Sequence, residues 1–192
     1  MAGCSGGNPG FPKPKATGRQ PTGSSPSKTG NAGGLPHDGA PKVQRPVDVA
    51  IFKLQPCAVL TPAQLKTLGI TVQGKSTLDA AAGPSCDWVN GPGAISLGVS
   101  ISNGNQGLSG AYLANKKHGY YRKFQPTTIN GLPAVELLSS TDNPEADCGY
   151  NIGTSDSEVV IMGVSNDKGG NPCADARNVA RGVTKTIKSG GS

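Results

Sequence analysis

Cys86-Asp87-Trp88-Val89-Asn90-Gly91-Pro92-Gly93-Ala94-Ile95-Ser96-Leu97-Gly98-Val99-Ser100-Ile101-Ser102 is the stretch that decides the fold. Ile95, Leu97, Val99 and Ile101 alternate with Ser96, Gly98, Ser100 and Ser102. A period of two puts alternate side chains on opposite faces of a strand. Together with Cys86 to Val89 and the Gly-Pro-Gly turn, the pattern predicts a β-hairpin with one apolar face and one wet face. Trp88, the sole tryptophan, is expected in the core.

The same period continues downstream. Ile129 to Ser140 reads as a strand after the Asn130-Gly131 turn, with Leu132, Ala134 or Val135, and Leu137 or Leu138 inward. A further hairpin pairs Cys148–Ile152 with Glu158–Val164 through Gly153-Thr154-Ser155-Asp156. Helices bracket these strands. In Leu60-Thr61-Pro62-Ala63-Gln64-Leu65-Lys66-Thr67-Leu68-Gly69, Thr61 is an N-cap, Pro62 stands at the first helical position, and Gln64 completes a capping box. Leu60 and Leu65 form a staple, and Gly69 is a left-handed stop. Near the C-terminus Asn171 caps and Pro172 follows, and Pro172, Ala176, Val179, Ala180, Val183 and Ile187 make one apolar stripe that should lie on a sheet. Residues 109–117 read as a short middle helix. The expected fold is α+β, an antiparallel sheet of about five or six strands flanked by an N-terminal and a C-terminal helix.

Upstream, 30 of the 42 residues from 5 to 46 are Gly, Pro, Ser, Thr, Asn or Lys, the composition of a tether. Residues 1–46 are therefore assigned to a tether and 47–192 to a single domain. A flexible chain of this length spans roughly 35 Å. At its head, Ala2-Gly3-Cys4-Ser5-Gly6 matches the tail of a bacterial lipobox, in which the Cys thiol carries a diacylglyceryl group. Cys4 is the expected lipidation site and the membrane the expected location, on its extracytoplasmic face. Met1 stands where Leu or Val is usual, and no charged and apolar leader regions precede Cys4 in this sequence. No apolar run approaches the ~20 residues that cross a bilayer.

Cysteine parity agrees with that assignment. With Cys4 set aside, Cys57, Cys86, Cys148 and Cys173 form an even set, lacking any Cys-x-x-Cys and accompanied by His37 and His118 alone. That is unlike a zinc site and like two disulfides in an oxidising compartment. Cys57 and Cys173 flank helix starts while Cys86 and Cys148 each open a hairpin, which favours Cys57 with Cys86 and Cys148 with Cys173. The rival, Cys57 with Cys173 and Cys86 with Cys148, stays open.

Charge divides the chain in the same place. Residues 1–46 carry six basic side chains against Asp38 alone, whereas the rest carries 12 basic and 11 acidic. The pI of about 9.1 belongs to the tether and gives no sign of a nucleic-acid surface. Lys116-Lys117-His118-Gly119-Tyr120-Tyr121-Arg122 is the one cationic and aromatic cluster of the domain. Its Lys116, Lys117, His118, Tyr120, Tyr121 and Arg122 are the candidate ligand-binding residues, for an anionic lipid, a wall polymer or an acidic partner. The plainer alternative is a helix end whose cations face its dipole, followed by a strand.

Catalysis finds little purchase. His37 lies in the expected tether, leaving His118 as the domain's one histidine. Glu145 with Asp147, and Asp156 with Glu158, read as turn residues. Residues 142–147 lack the ligand order of a calcium loop, and the Gly-rich turns lack the Lys-Ser/Thr of a phosphate cradle. No catalytic residue, metal or cofactor is expected.

Pro56-Cys57-Ala58-Val59-Leu60-Thr61-Pro62, Cys86-Asp87-Trp88, Gly131-Leu132-Pro133-Ala134-Val135, Cys148, and Cys173-Ala174-Asp175-Ala176 together resemble an actinobacterial family of lipoproteins of unknown function, domain of unknown function 3558. The resemblance spans roughly residues 50–187, and Val59 replaces the usual first Leu of its most specific stretch. It implies secretion, lipidation and paired cysteines, and it supplies no reaction. A looser analogy points to the helix-flanked sheet of PsbP-like domains. The expected function is that of a membrane-anchored, non-enzymatic binding protein whose ligand is an envelope lipid, glycan or protein. A structural or regulatory interaction subunit is the alternative, ahead of a hydrolase.

Overall fold

The computed structural model describes residues 34–78, 81, 83–91, 95–139, 147–166 and 170–191. In chain order they form α1 (Ala50–Leu54), a 3-10 turn (Pro56–Val59), α2 (Pro62–Thr67), β1 (Lys75–Thr77), β2 (Ser85–Val89) and β3 (Ile95–Ile101). Then come α3 (Ser109–His118), β4 (Tyr121–Ile129), β5 (Leu132–Ser139), β6 (Asp147–Gly153), β7 (Val159–Asn166) and α4 (Pro172–Lys188). The strands make one seven-stranded sheet in the order β1-β2-β3-β7-β6-β5-β4, antiparallel at every junction. Two meanders meet where β3 pairs with β7, and α3 carries the chain to the far edge between them.

The α+β class, the antiparallel sheet and the flanking helices are as the sequence predicts. The additional strand is β1, three residues on the edge beside β2. It escapes a reading by periodicity because three residues hold barely one alternation.

Local chemistry sets the helix starts. Thr61 Oγ1 accepts from Gln64 N–H at 3.3 Å while Gln64 Oε1 accepts from Thr61 N–H at 2.7 Å, so the capping box is closed on both sides. Gly69 takes φ +72° just past α2. Asn171 Oδ1 accepts from Ala174 N–H at 3.0 Å, and Pro172 sits at the first position of α4. All six residues of the expected stripe on α4 are buried. They cover the inner face of the sheet, meeting Leu97, Val99 and Ile101, Tyr150 and Ile152, and Val160, Met162 and Val164. Trp88 is buried in that same core. Burying a Val or Ile side chain is worth roughly 1.5–3 kcal/mol, so α4 is held by its face.

Both disulfides follow the preferred pairing: Cys57 with Cys86 and Cys148 with Cys173, each with Cα atoms 5.0 Å apart. Each joins the region of a helix start to a strand. The rival pairing is excluded.

The N-terminal boundary moves. Residues 1–33, including Cys4, lie outside the described residues, but 34–46, expected to belong to the tether, are seated on the domain. Val43 is buried in the core, and its N–H donates to Asp156 Oδ1 at 2.8 Å. His37 N–H donates to Ser109 Oγ at 2.9 Å, and Asp38 pairs with Lys116. A stretch of Gly, Pro and Lys is held here by backbone hydrogen bonds to side chains far along the chain, which composition cannot reveal.

Candidate functional site

The two faces of the sheet are finished differently. The inner face lies under α4. On the outer face α3 covers one side: Leu108 packs with Val135, Leu137 and Val159, and Tyr112, Tyr121, Phe124 and Ile161 gather round them. Among the described residues, no helix covers the rest of the outer face, over β3, β7 and β6.

Strand register puts three glycines side by side there. Gly98 on β3 is opposite Gly163 on β7, and Gly163 is opposite Gly149 on β6. The row continues to Asp87 on one side and to Leu137 and Phe124 on the other. With no side chains above three adjacent strands, bare backbone forms the floor of an open groove of about 420 Å³, walled by Tyr121, Leu137 and Ile161 and by Asp147 and Ser165. It adjoins a smaller hollow of about 260 Å³ toward α3, with Tyr121, Asn151 and Ile161 common to both.

The three glycines are not equivalent. A Cβ on Gly149 would stand 2.7 Å from Met162 O, so the fold itself requires that glycine. One on Gly98 would meet Asp87 Oδ1 at 2.8 Å, the movable end of a carboxylate leaning over the row. One on Gly163 would meet nothing within 4 Å, and its backbone is not left-handed. Gly163 therefore costs strand stability, roughly 0.5–1 kcal/mol, with no steric requirement for it among the described residues. Where no bulge or bend accounts for it, a strand glycine leaves room for a ligand or another backbone to approach closely.

Asn151 is the polar counterpart. It lies between Val135 and Ile161 on the outer face, is only 8% exposed, and lines both the groove and the adjoining hollow.

The six predicted ligand-binding residues are split by the structure. Lys116, Lys117 and His118 end α3, with Gly119 as its left-handed cap at φ +55°. Lys116 Nζ is 3.1 Å from Asp38 Oδ1. The carboxyl of Asp38 is lowered by hydrogen bonds from Lys116 and His37. Tyr120 is exposed, stacked edge-on to Tyr121 at 5.0 Å, and Arg122 is exposed on β4. Tyr121 alone of the six lines the groove. It is half-buried beside Phe124, and burial raises its hydroxyl pKa. Of the acidic pairs, Asp156 accepts from Val43 and Glu158 pairs with Lys53, so both fasten the N-terminal stretch. Asp147 stands at the groove, and Glu145 lies outside the described residues.

The strongest charge cluster was not foreseen. Glu136 on β5 faces α4, only 2% exposed, and its carboxylate accepts hydrogen bonds from Lys123 Nζ, Tyr150 Oη and, at 2.8 Å, Arg177 Nη2. Burial pushes its pKa up, but the donors from Lys123, Tyr150 and Arg177 outweigh it and hold the carboxyl at about 2. The same bonds raise Arg177, and burial with Glu136 raises Tyr150. Both oxygens are engaged, so Glu136 is a structural anchor rather than a proton acceptor. It lies within 4.8 Å of the sulfurs of Cys148 and Cys173, but these are bonded to each other and offer no thiolate to a metal. In the sequence Glu136 is a lone Glu in the apolar run Leu132-Pro133-Ala134-Val135-Glu136-Leu137-Leu138, a pattern that does not tell a buried carboxylate from a solvated one.

Neither the curated proteins nor the solved structures contain a match to this chain. A family described as protein of unknown function (DUF3558) matches residues 1–186, nearly the whole length. The match takes in both disulfides, the capped α2 and all seven strands, so the chain belongs to the DUF3558 family.

Proposed function

We propose that this protein is an envelope lipoprotein, anchored through Cys4 on the extracytoplasmic side of the membrane, whose domain binds a ligand rather than catalysing a reaction. The observation that carries the binding reading is the glycine-floored groove on the open face of β3, β7 and β6. Gly163 in particular gives up strand stability without any steric need. Support for the anchor comes from the cysteines: the four in the domain are paired with one another, and Cys4 is left over at a lipobox position. Disulfides of this kind persist in oxidising compartments.

Filling the groove tests the reading. Gly163→Val adds a β-branched side chain where space is free, so the fold is kept or strengthened while the floor is blocked. The Cys4→Ser chain, freed of its anchor, is expected to sediment with washed envelopes of the host cell, and the added Gly163→Val to leave it in the supernatant with an undiminished Tm. Failure of the Cys4→Ser chain to sediment, or equal sedimentation of both, would overturn the binding reading.

A further inference from the structure

The groove is amphipathic across its width, and that limits what can lie in it. One wall is apolar and aromatic, from Tyr121, Leu137 and Ile161. The other end offers acceptors and hydroxyls, from Asp147 and Ser165 at the wall and from Asp87 leaning over Gly98. Asn151, beside Ile161 at the end opposite Asp147 and Ser165, presents one acceptor oxygen and two donor hydrogens. Among the described residues, no Lys or Arg lines the groove.

Resting on the binding reading of this same groove, we infer that its ligand is a neutral saccharide unit. A pyranose ring is flat enough to lie on bare backbone. Its C–H face packs against an aromatic or aliphatic wall, and its equatorial hydroxyls point outward to amides, carboxylates and serines. A phosphate or carboxylate ligand would meet Asp87 and Asp147 with no cation among the described lining residues to offset them. A long acyl chain would need an enclosed apolar cavity, and this groove is open on one side. Asn151 supplies what a hydroxyl needs, a donor and an acceptor on one group.

The test is a titration of the isotope-labelled Cys4→Ser chain, followed by amide NMR. The probes are glucose, mannose, galactose and N-acetylglucosamine with their β- and α-linked disaccharides, and separately phosphatidylglycerol vesicles. At least one saccharide is expected to shift the Asn151 side-chain amide and the backbone amides of Gly149 and Gly163. Asn151→Leu should weaken that binding at least tenfold without lowering the Tm, because Val135 and Ile161 give a leucine apolar cross-strand neighbours. Gly163→Val should abolish it. Shifts of these amides by the vesicles instead of the sugars, or a saccharide response that Asn151→Leu leaves intact, would overturn the assignment. If no saccharide shifts them although envelope sedimentation remains sensitive to Gly163→Val, the ligand class is wrong and the groove still binds. If sedimentation is insensitive, the groove reading itself falls.

Discussion

Glu136 shows what a single side chain contributes here. Its carboxyl, near 4.5 when unconstrained, titrates at about 2 in the folded protein. A depressed carboxylate gives stability that is fully present above its unfolded pKa and is lost as pH falls through the folded one. The window is therefore from about pH 4.5 down to about 2, and a shift of that size corresponds to about 3 kcal/mol. Glu136→Gln should lower the free energy of denaturant unfolding at pH 7 by about that amount and flatten the decline between those pH values. Parallel pH curves for the two proteins would show that Glu136 contributes little. Gly74 is a second test at this scale: a Cβ there would stand 2.5 Å from Cys86 Sγ and 2.7 Å from Trp88 Nε1. Gly74→Ala should cost about 1–3 kcal/mol, read from the same unfolding curves, as expected for overpacking beside a buried ring. Neither effect was legible in the sequence. β5 is covered on both faces, by α4 and by α3, so its run of apolar residues does not alternate, and the buried Glu136 looks like any surface glutamate in a strand.

The elements themselves were much more legible. Caps, turns and stripes are local: Thr61 and Gln64 are three residues apart, Asn130 at φ +48° and Gly131 at φ +83° make the hairpin turn their identities announce, and the α4 stripe repeats within one helix. Disulfide pairing was inferable because each partner lies near a helix start or opens a hairpin. The loops they close, 29 and 25 residues, are each worth ~3 kcal/mol in the chain-entropy model. Replacing Cys57 and Cys86 together by Ser, or Cys148 and Cys173 together, should each lower stability by about that much. The second pair should cost more, because Cys173 holds the start of α4 and with it Arg177 near Glu136. Equal Tm values for the wild type and both variants would contradict this. The glycine row was out of reach. Gly98, Gly149 and Gly163 are scattered along the chain, and only cross-strand register, which no single segment encodes, sets them side by side.

At the scale of the whole molecule, the division into a basic N-terminal stretch and a neutral domain was readable from composition, but its border was not. Residues 34–46 share the tether's composition and are nonetheless held by Asp156, Ser109 and the core around Val43. The expected cationic site met a related fate. Its sequence neighbours fan out from the end of α3, and Tyr121 reaches the groove while Lys116 is occupied by Asp38. Where the groove works depends on the anchor. The direct measurement is fractionation of the native host expressing the wild-type gene or its Cys4→Ser variant, with the protein followed by immunoblot. On detergent phase separation the wild type should partition into the detergent phase and the variant into the aqueous phase. A wild type in the aqueous phase, or a variant that stays in the detergent phase, would contradict the lipoprotein assignment.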